Sequence, residues 1–214
     1  MTDARFLIVL DVDSTLIENE VIEMLAECAG SLRAVAEITE RAMSGQLDFQ
    51  QSLRSRVSTL AGLPISCFTD VADDIRVTQG VPELIAGLHA NDGLIGVVSG
   101  GFHELLDAVA TDLGLDHWKA NRLEIADGRL TGNVLGPIID AQAKAHALIE
   151  WADAAGIPHA QTVAVGDGAN DLAMMDAAGL SVAFNARAVV RERAHLAIDT
   201  RDLSQLLPLL GLRG

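Results

Sequence analysis

Five apolar residues in succession, 6–10, stop abruptly at Asp11. An unbroken apolar run ended by charge reads as a strand buried on both faces, the kind found in parallel sheets. Similar runs occupy 94–98, 162–165 and 180–184, and Ala197-Ile198 suits a last edge strand. From Glu18 to about Arg76 the period becomes helical. Val21, Leu25 and Cys28 share one face; Gly30 ends that helix, and Ser31 is placed to cap a second that turns Leu32, Val35, Ile38 and Ala42 inward. After a break at Gly45, Asp48 is placed to cap a third helix with Phe49, Leu53, Val57 and Leu60 on its apolar face. Gly62-Leu63-Pro64 closes it, and a short fourth helix follows from Ser66. Roughly sixty helical residues exceed what a βα crossover needs, so this stretch is an insertion with its own small bundle. Further helices are predicted from Pro82 to about Ala90, from about Phe102, over 141–155, after Asn170-Asp171 and over 202–210. A hairpin is predicted over 119–135 around Asp127-Gly128.

Composition narrows the partners. Half of the 214 residues are apolar but only 3% are aromatic, so helices packed on a sheet through Ala, Val, Leu and Ile suit the core. Acids outnumber bases 30 to 15, a formal charge of -15 that repels phosphate backbones and anionic membrane surfaces. Neither nucleic acid nor membrane is an expected partner, and an anionic small molecule needs local positive groups or a metal. Cys28 and Cys67, both in helical patterns, fit reduced core thiols. No apolar run has the length of a signal-peptide core or a membrane span, so a soluble, cytoplasmic protein is expected.

Chemistry gathers where the strands end. Asp11 and Asp13 follow the first strand, at the edge where open α/β sheets bind ligands, although Asp13 or Ser14 could equally cap a helix. Ser99-Gly100-Gly101 follows the second as an anion-holding strand-to-helix turn, or only a tight turn. The segment 166–171, GDGAND, projects two carboxylates and an amide suited to an oxygen-loving cation such as Mg²⁺. Lys144, in the first turn of its helix, opposes the macrodipole: it is either surface scatter or a reach for an anion. Arg56, seven residues after Phe49, falls within about 20° of the apolar face, where its stem could lie on the core with its head in solvent. Glu20 suits the start of a helix as an acid.

DxDxT at Asp11, Asp13 and Thr15, together with GDGAND and the lysine helix before it, resembles the haloacid dehalogenase superfamily of phosphotransferases along the entire chain. The resemblance implies a Rossmann-like, doubly wound parallel sheet from residues 1–14 and 79–214, with residues 15–78 as a helical cap inserted after the first strand. It implies Asp11 as the nucleophile that forms an aspartyl-phosphate. Asp13 would be the acid for the leaving alkoxide and then the base for water, its pKa raised by burial or neighbouring negative charge. Mg²⁺ would take Asp11, the backbone carbonyl of Asp13 and Asp167, with Asp171 and Asn170 orienting the site. Ser99, Gly100, Lys144 and Asn170 would surround the phosphate. The insertion with Glu20, Phe49 and Arg56, and the segment VVSGGF, imply hydrolysis of O-phospho-L-serine to L-serine, the last step of serine biosynthesis. Glu20 then meets the substrate ammonium and Arg56 its carboxylate, while Phe49 and Met43 close over it. A homodimer is compatible with this reading. Many members carry an N-terminal regulatory region; only five residues precede the first strand, so feedback through such a region is not expected. Phosphohomoserine or another small phosphorylated metabolite stays open as substrate. A receiver-like phospho-switch is opposed by the insertion and by Asp13, since a switch has no use for a residue that hastens hydrolysis.

Overall fold

A computed structural model describes residues 4–212, so the outermost residues of the expected core, 1–3 and 213–214, lie outside the described residues. The central strand is β1 (Phe6–Leu10), and its alternation explains the layering: Ile8 and Leu10 enter the core on one face of the sheet, Leu7 and Val9 that on the other. All four are fully buried. β2 (Gly93–Phe102) and β5 (Thr162–Gly166) flank it in parallel, β3 (His117–Ala126) and β6 (Leu180–Phe184) lie beyond them, and β4 (Arg129–Leu135) and β7 (Leu196–Ile198) form the edges. Every neighbouring pair is parallel except β3 with β4. Leu10 stands opposite both Val97 and Val165, which brings the ends of β1, β2 and β5 to one edge, where the strand order reverses.

The helical insertion consists of α1 (Val21–Cys28), α2 (Leu32–Met43), α3 (Phe49–Ser58) and α4 (Cys67–Asp73). Asp48 caps α3 as expected: its Oδ1 accepts from Gln51 N at 2.8 Å while Gln51 Oε1 accepts from Asp48 N at 3.2 Å. Ser31 does not cap α2; its hydroxyl accepts from Thr59 Oγ1 at 3.2 Å and so ties the α1–α2 turn to the end of α3. On α2 only Val35 is fully buried and Leu32 is exposed, while Thr39, Ala42 and Met43, toward its end, line a cavity instead of a packed core. Cys67 is buried but Cys28, the last residue of α1, is exposed, so the two are not both core thiols.

The insertion joins the sheet at two seams. Near its ends, Thr78 Oγ1 donates to Thr15 O at 2.7 Å and Glu18 N to Arg76 O at 2.8 Å. At its far side, Gly62 N donates to Leu130 O and Leu130 N to Leu63 O, which lays the segment after α3 along β4. The hairpin turns at Asp127 and Gly128, φ 51° and 72°, the two left-handed residues that a two-residue turn demands. It starts earlier than expected, at His117, because the first half of β3 pairs with β2.

Further helices are α5 (Val81–His89), α6 (His103–Leu113), α7 (Ala141–Ala154) and α8 (Leu172–Asp176), and a single α-turn, Ala188–Arg191, follows β6. The helix expected over 202–210 is a 3₁₀ turn, Leu203–Gln205, followed by one α-turn, Leu206–Leu209. Gly211, at φ 72°, ends it, and Leu212 N donates back to Leu207 O at 2.9 Å. Among the described residues no helix is long and apolar enough to cross a membrane.

Candidate active site

Beyond Leu10 the chain makes a wide turn, Val12–Leu16, interrupted by an extended Asp13 and by Ser14 at φ 58°. That irregularity turns two carboxylates toward the same crevice. Asp11 is 5% exposed, and its Oδ1 accepts from Val12 N at 2.7 Å and pairs with Lys144 Nζ at 2.6 Å. Its Oδ2 has only a long contact, 3.5 Å from Asn170 Nδ2. One oxygen is held and the other is left with lone pairs to offer. Asp13 Oδ1 accepts from Val21 N, the first residue of α1, at 2.9 Å. Burial, reinforced by the charge of Glu20, pushes the Asp13 carboxyl up to about 8, so near neutral pH it carries a proton it can donate.

Lys144 is not surface scatter. It is fully buried, with Nζ 2.8 Å from Asp171 Oδ1 as well as 2.6 Å from Asp11. Burial alone would lower its pKa, but the two carboxylates hold it above its ordinary value. Asp171 uses its other oxygen to accept from Gly168 N at 3.0 Å. One carboxylate oxygen from each of Asp11, Asp167 and Asp171 lies within 4.8 Å of the other two. One lysine cannot neutralise three acids: burial and the Asp11 charge push Asp167 up to about 6 and Asp171 up to about 7. A cluster of oxygen donors with surplus negative charge fits a hard divalent cation.

Ser99-Gly100-Gly101 differs from the expected strand-to-helix turn. The segment stays extended as a bulged end of β2, its pairing with β3 shifting between Val98 and Phe102, and α6 starts only at His103. The cause is Asn121 on β3, whose Nδ2 donates to Gly100 O at 2.9 Å. Ser99 is buried beneath the bulge. A Cβ on Gly100 would stand 3.0 Å from Phe49 Cζ, and one on Gly101 3.1 Å from Asp13 Oδ2, so both positions are pressed on by the site and suit glycine.

Above this floor a cavity of about 360 Å³ is walled by the insertion through Glu20, Met43, Phe49 and Arg56. Asp11, Asp13, Gly100, Asp167 and Asn170 face it from the sheet, whereas Lys144 and Asp171 lie beneath its surface. Ser14 Oγ donates to Glu20 Oε1 at 2.7 Å, and burial raises the Glu20 pKa. Arg56 lies at the cavity rather than reaching solvent along the core: its Nε is buried and, among the described residues, has no hydrogen-bond partner. Burial lowers its pKa against the opposing pull of Glu20. Met43 is 65% exposed at the rim.

Arg187 also lines the cavity, and its N–H donates to Asp167 O at 3.2 Å. It lies three residues past the end of β6, so the strand-end argument applied to that strand would have found it.

The family profile of haloacid dehalogenase-like hydrolases matches residues 8–176. The chain is 54% identical over 209 residues to a phosphoserine phosphatase of Streptomyces coelicolor, covering 98% of this chain and 51% of that protein. It therefore spans about half the length of that relative. To a phosphoserine phosphatase of Streptococcus thermophilus it is 48% identical, with 98% of each covered. A solved substrate-bound phosphoserine phosphatase complex is similar at TM-score 0.90 and 43% identity, covering 96% of this chain and 98% of that one. A phospho-aspartyl intermediate analogue of phosphoserine phosphatase is equally similar, at TM-score 0.90 and 43% identity over 96% of this chain and 99% of that chain.

Proposed function

This chain belongs to the haloacid dehalogenase-like hydrolase family, and we propose that it hydrolyses O-phospho-L-serine to L-serine and inorganic phosphate through an aspartyl-phosphate on Asp11. The observation that carries the substrate assignment is the buried, unpartnered Nε–H of Arg56 in the cavity wall. A buried donor without an acceptor is costly unless a ligand supplies one, and a carboxylate is the acceptor a guanidinium best matches. Glu20 lines the same wall, and among the described residues no ion pair joins it to Arg56. An acid and a base held apart complement the two charges of an amino acid.

Asp11 Oδ2 attacks phosphorus while Oδ1 stays with Val12 N and Lys144. The P–O bond to serine breaks, and the protonated Asp13 gives its proton to the departing oxygen. Asp13, now a carboxylate, takes a proton from water as that water attacks the phosphorus of the aspartyl-phosphate, which frees phosphate and restores Asp11. Ser99, Gly100, Lys144 and Asn170 surround the phosphate, and Phe49 and Met43 close over the ligand. Mg²⁺ is the cation we assign to Asp11, the Asp13 carbonyl and Asp167; it supplies the positive charge that lets a carboxylate meet a phosphate dianion. Asp171, both of whose oxygens are engaged by Lys144 and Gly168, orients the cluster. We take residues 15–78 as the cap and the remainder as the core, and the free thiols of Cys28 and Cys67 support a reducing, cytoplasmic setting.

Phosphate release from O-phospho-L-serine, with and without Mg²⁺ after chelation, tests this reading. Release should cease in EDTA and return with Mg²⁺. Full activity in chelated protein rules out the metal assignment, and release from general phosphomonoesters but not phosphoserine rules out the substrate.

A further inference from the structure

Asn121 belongs to none of the motifs at the strand ends, yet it touches two of the elements that surround the phosphate. It is 1% exposed, and both ends of its amide are used. Nδ2 donates to Gly100 O at 2.9 Å, and Oδ1 accepts from Ile139 N at 2.8 Å. The first bond fixes more than a carbonyl. In a planar trans peptide the N–H that follows a C=O points the opposite way, so holding Gly100 O on one side directs the Gly101 N–H to the other. That N–H donates to Ser99 Oγ at 2.7 Å. One lone pair of the Ser99 hydroxyl is thereby occupied, and its own proton stays free to be donated. The second bond acts on α7. Ile139 immediately precedes Asp140, whose Oδ1 caps that helix by accepting from Gln142 N at 3.1 Å and Ala143 N at 3.0 Å. Lys144 follows in the first turn, paired with Asp11.

We propose that Asn121 is a positioning residue for phosphate recognition: through the Gly100–Gly101 peptide it aims the Ser99 hydroxyl, and through Ile139 it sets the start of the helix that carries Lys144. It acts on the phosphate and not on the remainder of the substrate, so its loss should not discriminate among phosphomonoesters. Asn121→Asp is the sharpest variant, since it keeps an acceptor for Ile139 N but opposes a carboxylate oxygen to Gly100 O. The inference rests on the phosphatase reading, and two readouts separate their failures: kcat/KM with O-phospho-L-serine and with p-nitrophenyl phosphate, and calorimetric binding of inorganic phosphate to the Mg²⁺-treated protein.

Asn121→Asp should weaken phosphate binding and lower kcat/KM for both esters by about the same factor, roughly 10- to 100-fold, as expected when a positioning group is displaced by up to about 1 Å. In a Ser99→Ala background the same substitution should cost less than about threefold, because the hydroxyl it aims has gone and the two changes are not independent. Asn121→Ser, which removes the amide without adding charge, serves if the aspartate variant does not fold, and should shift phosphate binding in the same direction. Unchanged phosphate affinity in a folded variant overturns the proposal, and so does a loss that simply adds to that of Ser99→Ala. A wild-type protein that binds phosphate but hydrolyses neither ester overturns the phosphatase reading and leaves the phosphate-binding test of Asn121 standing.

Discussion

On the floor of the cavity Lys144 already has Asp11 and Asp171, and Asn121 has Gly100 and Ile139. On the cap wall, Arg56 Nε has no partner among the described residues and Met43 stands 65% exposed at the rim. The side chains of the floor are held in place before any substrate arrives, so charge developing at phosphorus would meet dipoles that need not reorganise. On the proposed reading the wall is completed by the ligand. Binding energy gained there comes from parts of the substrate that do not react. Substitutions on the floor should therefore damage phosphomonoesters whether or not they carry an amino acid, to a degree set only by the leaving group, and substitutions on the wall only those that carry one.

The largest effect should come from Asp11→Asn, which keeps the shape of the side chain but removes the nucleophile. Turnover of all esters should fall by about 10⁴-fold or more, and rapid quenching should trap no phosphorylated protein. A trapped intermediate on this variant would transfer the role to another residue and undo the floor as drawn.

Asp13→Asn comes next, at roughly 10² to 10⁴-fold with phosphoserine. Its defect in the phosphorylation step should shrink with p-nitrophenyl phosphate, whose phenolate needs little protonation. Equal defects in that step for the two leaving groups would contradict the acid role.

How much of this was legible follows from where the information lies. Asp11, Asp13, Asp167 and Asp171 could be placed because a parallel sheet aligns its strand ends, a rule that needs only the apolar runs before them. Asp127-Gly128 and the Asp48 cap are equally local, since turn and cap chemistry are written within a few residues. The bulge at Ser99-Gly100-Gly101 was not legible, because the bond that keeps it extended comes from Asn121, twenty-one residues on. Serine before a helix is most often a cap, but at Ser31 a tertiary partner, Thr59, holds the hydroxyl. The exposure of Leu32 and Cys28 was hidden because helical periodicity reports an apolar face and not whether that face is covered.

Arg56→Ala separates wall from floor most directly. Loss of a half-buried guanidinium that binds a carboxylate should cost about 2 to 4 kcal/mol in kcat/KM with phosphoserine, on the order of 30- to 1,000-fold. Phosphoethanolamine and p-nitrophenyl phosphate, which lack that carboxylate, should keep most of their rate. If all three fell together, Arg56 would be holding the cap in shape and the distinction between wall and floor would fail at this residue.

The smallest effect, and the most demanding test of the division, belongs to Asp48→Ala. Asp48 touches no part of the cavity surface, but its Oδ1 holds Gln51 N at the start of α3, the helix that presents Phe49 in its first turn and Arg56 near its end. Removing an N-cap of this kind costs about 1 kcal/mol, which in a chain of this size lowers Tm by roughly 2 to 4 °C. The frayed turn is the one that carries Phe49, whose ring lies against Gly100, while Arg56 is two turns away in a part of the helix held by buried Leu53 and Val57. Fraying should thus loosen closure over the ligand without releasing the guanidinium. KM for phosphoserine should rise by less than about threefold, with kcat and the rate on p-nitrophenyl phosphate little changed, the pattern of a lost uniform binding contribution. A fall in kcat on both substrates would mean that Phe49 presses Gly100 into its working position, and that the floor owes part of its order to the cap.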